Sequence, residues 1–251
     1  YRIRTGAFAI PLNIYRMFLD SVAVNQRKYS FEYYKNSIYP EPQTRGIDLQ
    51  GYYNGKDDNS TLIGVTKPTD TLDFSHRESS FLNAVTGMLK KITYPTGGTS
   101  SFTYENHSYG KAVVPNILVP ELITSNTSGL TGGVRIKKIV NTPGDTLSYD
   151  YINEYSQSSG VINDVSKYKM DMSISPQRLW NVTSLIVLSG NNLIAGNSIA
   201  EPHVGYSRVI ERKGTGNGYK VYSYTTFDDY KDEPVVDCDN RTYFNLSNAA
   251  P

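Results

Sequence analysis

The 251-residue chain contains one cysteine, Cys238, so it can form neither an internal disulfide nor a thiolate metal cluster of its own, and its fold has to hold by packing. It has a single Trp and no run of 18 apolar residues, which excludes a helical membrane span within the segment. A surplus of charge is missing too. With 25 basic and 24 acidic side chains, the formal net charge of +1 supplies no field to draw nucleic acid or an anionic membrane. The chain opens Tyr1-Arg2-Ile3-Arg4 without a methionine or a signal-type apolar core, and we read it as a segment of a longer polypeptide whose export signal stands upstream.

Tyrosine dominates what is present: 21 Tyr stand against 8 Phe, alongside 20 Gly and 12 Pro. That balance favours strands with half-wetted faces joined by tight turns, and no long stretch with helical periodicity competes with it. Asn-x-Ser/Thr sequons at Asn59, Asn106, Asn126, Asn181, Asn240 and Asn245 would matter in a eukaryotic secretory protein, and chance explains them about as well in a chain this rich in Asn, Ser and Thr.

One pattern recurs: an apolar-alternating strand, a turn, then aromatics two apart, which on a strand share a face. The clearest copy runs Leu89 to Tyr94, turns through Pro95-Thr96-Gly97-Gly98, and continues to Phe102 and Tyr104. A second runs Ile136 to Val140, turns through Asn141-Thr142-Pro143-Gly144-Asp145, and reaches Tyr149 and Tyr151. The steps from Ile92 to Phe102 and Tyr104 are 10 and 12, and those from Ile139 to Tyr149 and Tyr151 are again 10 and 12. Looser copies join Val22 and Val24 to Tyr29, Phe31 and Tyr33 across Asn25-Gln26-Arg27-Lys28, and Tyr206 to Ile210 to Tyr222 and Tyr224 across Gly214 to Gly218. Proline presets a turn corner and glycine accepts positive φ, so each unit predicts a hairpin with its aromatics opposite β-branched residues across that hairpin. A lone hairpin is unstable, so the units must pair edge to edge or fold onto one another.

The run Gly87-Met88-Leu89-Lys90-Lys91-Ile92-Thr93-Tyr94-Pro95-Thr96-Gly97-Gly98-Thr99-Ser100-Ser101-Phe102-Thr103-Tyr104-Glu105 resembles the unit of YD-repeat (Rhs-type) surface proteins of bacteria. Segments 47–55 and 132–136 look similar to parts of the same family. The resemblance implies a strand-rich sheet that spirals into a hollow shell around a toxin or other cargo, in a protein that is extracellular or associated with the outer membrane. This chain departs from the pattern in having two well-matched copies, long insertions between them, and no autocleaving segment or toxin domain.

Residues 40–68 read as a turn-rich insertion. Its pair Tyr52 and Tyr53 could stack on sugar, though aromatics that tack the loop to the sheet are the plainer reading. Ser80 to Gly87 suggests one helical turn with Ser80 as its cap, Leu185 to Leu188 an apolar strand, and Trp180 a core anchor. Chemistry is sparse. His76, His107 and His203 lack metal-ligand spacing and read as surface or capping residues. Asp237 and Asp239 would hold the Cys238 thiol protonated, and the oxygen-rich groups Asp57-Asp58-Asn59 and Asp237-Asp239-Asn240 do not match an EF-hand. The adjacent pair Asp228-Asp229 would point apart on a strand, and Gly214-Thr215-Gly216-Asn217-Gly218 lacks the helix and Lys-Ser/Thr of a phosphate loop.

The sequence therefore predicts an all-β protein: repeated antiparallel hairpins near 22–33, 89–104, 136–151 and 206–224, forming a curled open sheet or a sandwich, with at most short helical turns, as one β-rich segment over 1–251. Ile92, Gly97, Gly98, Phe102, Tyr104, Ile139, Gly144, Tyr149 and Tyr151 define the repeat. The expected role is a non-catalytic wall or scaffold segment with no cofactor and no catalytic or metal site. Its partners are the rest of the parent polypeptide, with a surface glycan or a protein cargo beyond it. A carbohydrate-binding module is the alternative, and a glycoside hydrolase with acids from distant strands the third.

Overall fold

The computed structural model describes residues 2–5, 15–35, 39–41, 44–59, 62, 75–115, 122–163, 169–173, 184–188, 203–214, 216–231, 234–236 and 242–244. In chain order the elements are β1 (Arg2–Thr5), β2 (Tyr15–Phe18), β3 (Ser21–Val24), β4 (Arg27–Tyr33), α1 (Phe81–Ala84), β5 (Leu89–Thr93) and β6 (Thr99–Tyr109). There follow β7 (Lys111–Pro115), β8 (Leu122–Ser125), β9 (Gly129–Thr142), β10 (Thr146–Asp150), β11 (Gly160–Asn163) and β12 (Lys169–Ser173). The last are β13 (Ser184–Leu188), β14 (Val204–Tyr206), β15 (Arg208–Lys213), β16 (Tyr219–Ser223), β17 (Pro234–Val236) and β18 (Thr242–Phe244). The protein is all-β.

The predicted hairpins build one eight-stranded sheet in the order β16-β15-β10-β9-β6-β5-β4-β3, antiparallel throughout. Each hairpin lies beside the one before it, second strand against first strand. Three two-stranded ribbons, β1-β2, β12-β13 and β17-β18, stand outside this sheet.

The aromatics were expected opposite β-branched residues of their own hairpin; Tyr29 does face Val22 and Tyr222 faces Val209, but in the two best-matched hairpins Phe102 and Tyr149 do not. Ile92 lies opposite Ser100, while Phe102 lies opposite Ile139 of the next hairpin, and Phe31 opposite Ile92. The physical reason is a register rule. Tyr94 N–H bonds Gly98 O at 2.8 Å, so the amides of Ser100 and Phe102 also turn toward β5. Phe102 is thus left in a non-hydrogen-bonded pair with Ile139, where side chains approach most closely. Phe31 N–H bonds Asp20 O at 2.9 Å, which makes Phe31–Ile92 the same kind of pair. Tyr149 occupies the third such position, opposite Glu211.

A second regularity closes the first three hairpins. Tyr104 Oη donates to Leu89 O at 2.8 Å, and Tyr151 Oη donates to Ile136 O at 2.7 Å, both fifteen residues back. Tyr33 Oη closes on Leu19 O at 3.0 Å, fourteen back across a shorter turn. That turn is another correction: only Asn25 and Gln26 form it, with φ of 49° and 65°, while Arg27 and Lys28 already belong to β4. Positive φ at both central residues matches the right-handed twist of the flanking strands. The fourth unit also begins later than expected. Tyr206 ends β14 in another sheet, and β15 starts at Arg208.

The second sheet runs β14-β11-β7-β8, with β11 and β7 parallel and the other pairs antiparallel. Its buried Ala112, Ile162 and Val204 pack with Tyr109, Val114 and Tyr206 into the apolar core. Strand β6 connects the sheets, since its far end reaches Tyr109 and passes through Gly110 into β7. The helical turn α1 forms where expected, but Ser80 makes no side-chain cap; its Oγ accepts from Asn83 Nδ2 at 2.8 Å.

Candidate functional site

Strands β6 and β9 pair over eleven positions, and two irregularities, between Thr103 and Tyr104 and between Asn106 and His107, interrupt their register. Such bulges re-aim side chains. Beside the first of them a cleft of about 330 Å³ opens, lined by Glu105, Arg135, Lys137, Tyr149, Asp150 and Tyr151 among others. Arg135 is its anchor. Its Nε and Nη2 both donate to Glu105 Oε1, at 2.9 and 2.8 Å, and its guanidinium lies over the rings of Tyr151 (4.1 Å) and Tyr206 (4.8 Å). A planar, weakly hydrated guanidinium suits this stacking in a way a lysine would not. Lys137 Nζ approaches Glu105 Oε2 at 3.4 Å, and Arg212 Nε donates to Asp150 Oδ2 at 2.7 Å. Burial pushes the Tyr151 hydroxyl up to about 12, so it stays a neutral donor to Ile136 O.

Behind Arg135 lies a half-buried polar cluster that the sequence did not announce. His107 and His203, far apart in the chain, meet edge to face with ring centroids 5.2 Å apart. His107 Nδ1 shares a 2.8 Å hydrogen bond with Tyr206 Oη, and His203 Nε2–H donates to Gly132 O at 2.9 Å. Burial, then the charges of His203 and Arg135, push His107 down to about 4; burial also lowers His203. Both rings are half-buried, where Gly132-Gly133 beyond the second irregularity lies against Asp48 and Tyr52 of the 47–54 loop.

That loop is built on Asp48, which is fully buried. Its Oδ1 accepts from the amides of Gln50 and Tyr52, each at 2.9 Å, while Arg77 Nη2 donates to Asp48 O at 2.7 Å. Burial pushes the Asp48 carboxyl up to about 6, against the pull of those amides and of Arg77. The turn-rich insertion is therefore an ordered loop over residues 44–59.

The two candidate stacking residues sit in this loop. Tyr52 is half-buried, its ring against Gly133 and 5.7 Å from His203. Tyr53 is half-buried as well, and its hydroxyl donates to Asp57 Oδ2 at 2.6 Å. Asp57 also accepts from Thr44 Oγ1 at 2.6 Å, and Asn59 is buried, so this oxygen-rich group is tied into the loop. Asp228 pairs with Lys111 at 2.8 Å and, with Asp229, accepts from Thr226 in a turn rather than on a strand. Trp180, Cys238, Asp237, Asp239 and Asn240 lie outside the described residues. Among the described residues no group of His, Cys, Asp or Glu could hold a metal ion, and no helix is long and apolar enough to cross a membrane.

The repeat-defining residues do come together. Ile92, Phe102, Tyr104, Ile139, Tyr149 and Tyr151 occupy equivalent places in neighbouring hairpins of one sheet. Gly97 (φ +85°) and Gly98 form the first turn, and Gly144 (φ +138°) the second. Of the charged groups that line the cleft, Glu105 pairs with Arg135 and Lys137, and Asp150 pairs with Arg212. Comparison with family models, curated proteins and solved structures finds no match to this chain.

Proposed function

We propose that this chain is a non-catalytic scaffold segment of a large exported protein resembling the YD-repeat family, acting through an extended sheet rather than through a reaction centre. One observation carries the reading: successive hairpins join through the same non-hydrogen-bonded aromatic position, and the first three are each closed by a tyrosine hydroxyl on a carbonyl in or just before their own first strand. A repeated unit that buries its faces only against neighbouring units is the construction of a wall. The paired charges of the cleft fit this, since Glu105 and Asp150 already serve Arg135, Lys137 and Arg212.

Antibody raised against the chain should label intact cells of the source organism, and protease added outside should remove the label. Confinement to the cytosol would sink the exported-scaffold reading. A carbohydrate-binding role is the second reading, favoured by the solvent-exposed tyrosines Tyr155, Tyr219, Tyr224 and Tyr230. A glycan array decides between them: the scaffold reading expects no retained glycan, and retention abolished by alanine at these positions would establish the binding module instead.

A further inference from the structure

The large sheet ends on β3 and β16, and among the described residues neither has a partner on its outer side. These two edges are not alike. Strand β3 is the first strand of the first hairpin in the sheet, and β16 the second strand of the last. Everywhere inside the sheet, a second strand meets a first strand in antiparallel register: β4 with β5, β6 with β9, β10 with β15. The two free edges are the two halves of one more junction of the same kind.

We propose that β16 of one copy of this chain pairs antiparallel with β3 of a second copy, placing Tyr222 opposite Val22, so that the sheet continues from molecule to molecule. The register follows from the amides. Tyr224 N–H bonds Ser207 O at 2.9 Å, so in antiparallel alternation Tyr222 and Lys220 also turn their amides toward β15, and Val221 and Ser223 turn theirs outward. On β3, Phe31 N–H bonds Asp20 O, so Val22 and Val24 exchange bonds with β4, and Ser21 and Ala23 point outward. Ser223–Ser21 and Val221–Ala23 then form the hydrogen-bonded pairs, and Tyr222–Val22 and Lys220–Val24 the non-hydrogen-bonded ones.

Tyr222 stands two residues before Tyr224, as Phe31, Phe102 and Tyr149 stand before Tyr33, Tyr104 and Tyr151. Val22 lies opposite Tyr29, two residues before Phe31, as Ile92 lies opposite Ser100, two before Phe102. The new contact therefore repeats the aromatic-on-aliphatic pair of Phe31–Ile92 and Phe102–Ile139. Both members are uncovered for it: Val22 is 36% exposed and Tyr222 37%. No like charges face each other in this register. Because the two surfaces differ, the contact is head-to-tail, and each added copy presents a fresh β3 or β16 edge to the next.

Sedimentation of the purified chain over about 1 µM to about 1 mM should show the weight-average mass rising beyond dimer without a plateau. Val221→Pro, which removes an amide pointing away from β15, should leave the circular dichroism unchanged and the chain monomeric. In a Cys238→Ser background, chains carrying Val22→Cys mixed with chains carrying Tyr222→Cys should form the mixed disulfide several-fold faster than Val24→Cys mixed with Tyr222→Cys. A monomeric native chain, association equally strong in Val221→Pro, or cross-linking without preference for 22 over 24 would each overturn the pairing. None of these outcomes bears on cell-surface exposure, so the pairing and the scaffold reading fail separately.

Discussion

At Gly133 the backbone has φ of +77°, and a Cβ there would stand 2.8 Å from the ring of Tyr52; at Gly97 φ is +85° and a Cβ would meet nothing within 4 Å. Asparagine tolerates this left-handed region, so the two sites separate backbone strain from collision. Gly97→Asn should cost no more than about 1 kcal/mol of unfolding free energy, and Gly133→Asn more than about 2 kcal/mol, measured by urea titration. The buried ionisable groups set a pH dependence of opposing parts. His107 falls from 6.5 to about 4 on folding, so its neutral form stabilises the fold above pH 6.5 and that contribution is lost as pH falls through about 4. Asp48 rises from 3.8 to about 6, so its contribution is full below pH 3.8 and lost as pH rises through about 6. Between these values the two slopes oppose each other. Asp48→Asn removes one of them, and its melting temperature should fall more steeply than that of the parent chain from pH 6.5 to pH 4; parallel curves would contradict the assignment.

At the scale of elements, each of the first three hairpins is held by its turn, its ladder and one tyrosine hydroxyl. Tyr104→Phe and Tyr151→Phe each delete a single hydrogen bond to a carbonyl of the same hairpin, and each should cost about 0.5–1.5 kcal/mol in chemical unfolding. Tyr33→Phe should cost less, because its bond to Leu19 O is solvent-exposed. Equal losses at all three would mean that the bonds, and not their burial, set the energy. The hairpins themselves were legible, since the 10- and 12-residue steps from Ile92 and Ile139 mark two copies 47 positions apart. The partners of Phe102 and Phe31 were not. A strand pattern says which residues share a face, but pairing between hairpins depends on which amides the turn has already consumed, and Asn25-Gln26 closes in two residues where four were expected.

Across the whole molecule, β6 and β9 have neighbours on both sides in the large sheet, and β6 also connects to the second sheet. Amide hydrogen exchange should be slowest in β6 and β9 and fastest in β3 and β16, whose outward amides are free of the ladder. Uniform protection across all eight strands would show that the edges are already covered in solution, as copy-to-copy pairing at high concentration predicts; dilution should then restore the gradient.

Alternating apolar residues, glycine- and proline-rich turns and an excess of tyrosine, all local properties, determined the all-β class and the site of each main hairpin. The meeting of His107 with His203, the burial of Asp48 beside Arg77 and the stacking of Arg135 over the touching rings of Tyr151 and Tyr206 were decided only by the tertiary structure. These contacts join residues 96 and 29 positions apart, or bring together groups from three segments. Each arises because a bulge, a positive-φ glycine or a strand crossing into a second sheet redirects a side chain, and no periodicity in the sequence encodes where that redirection ends.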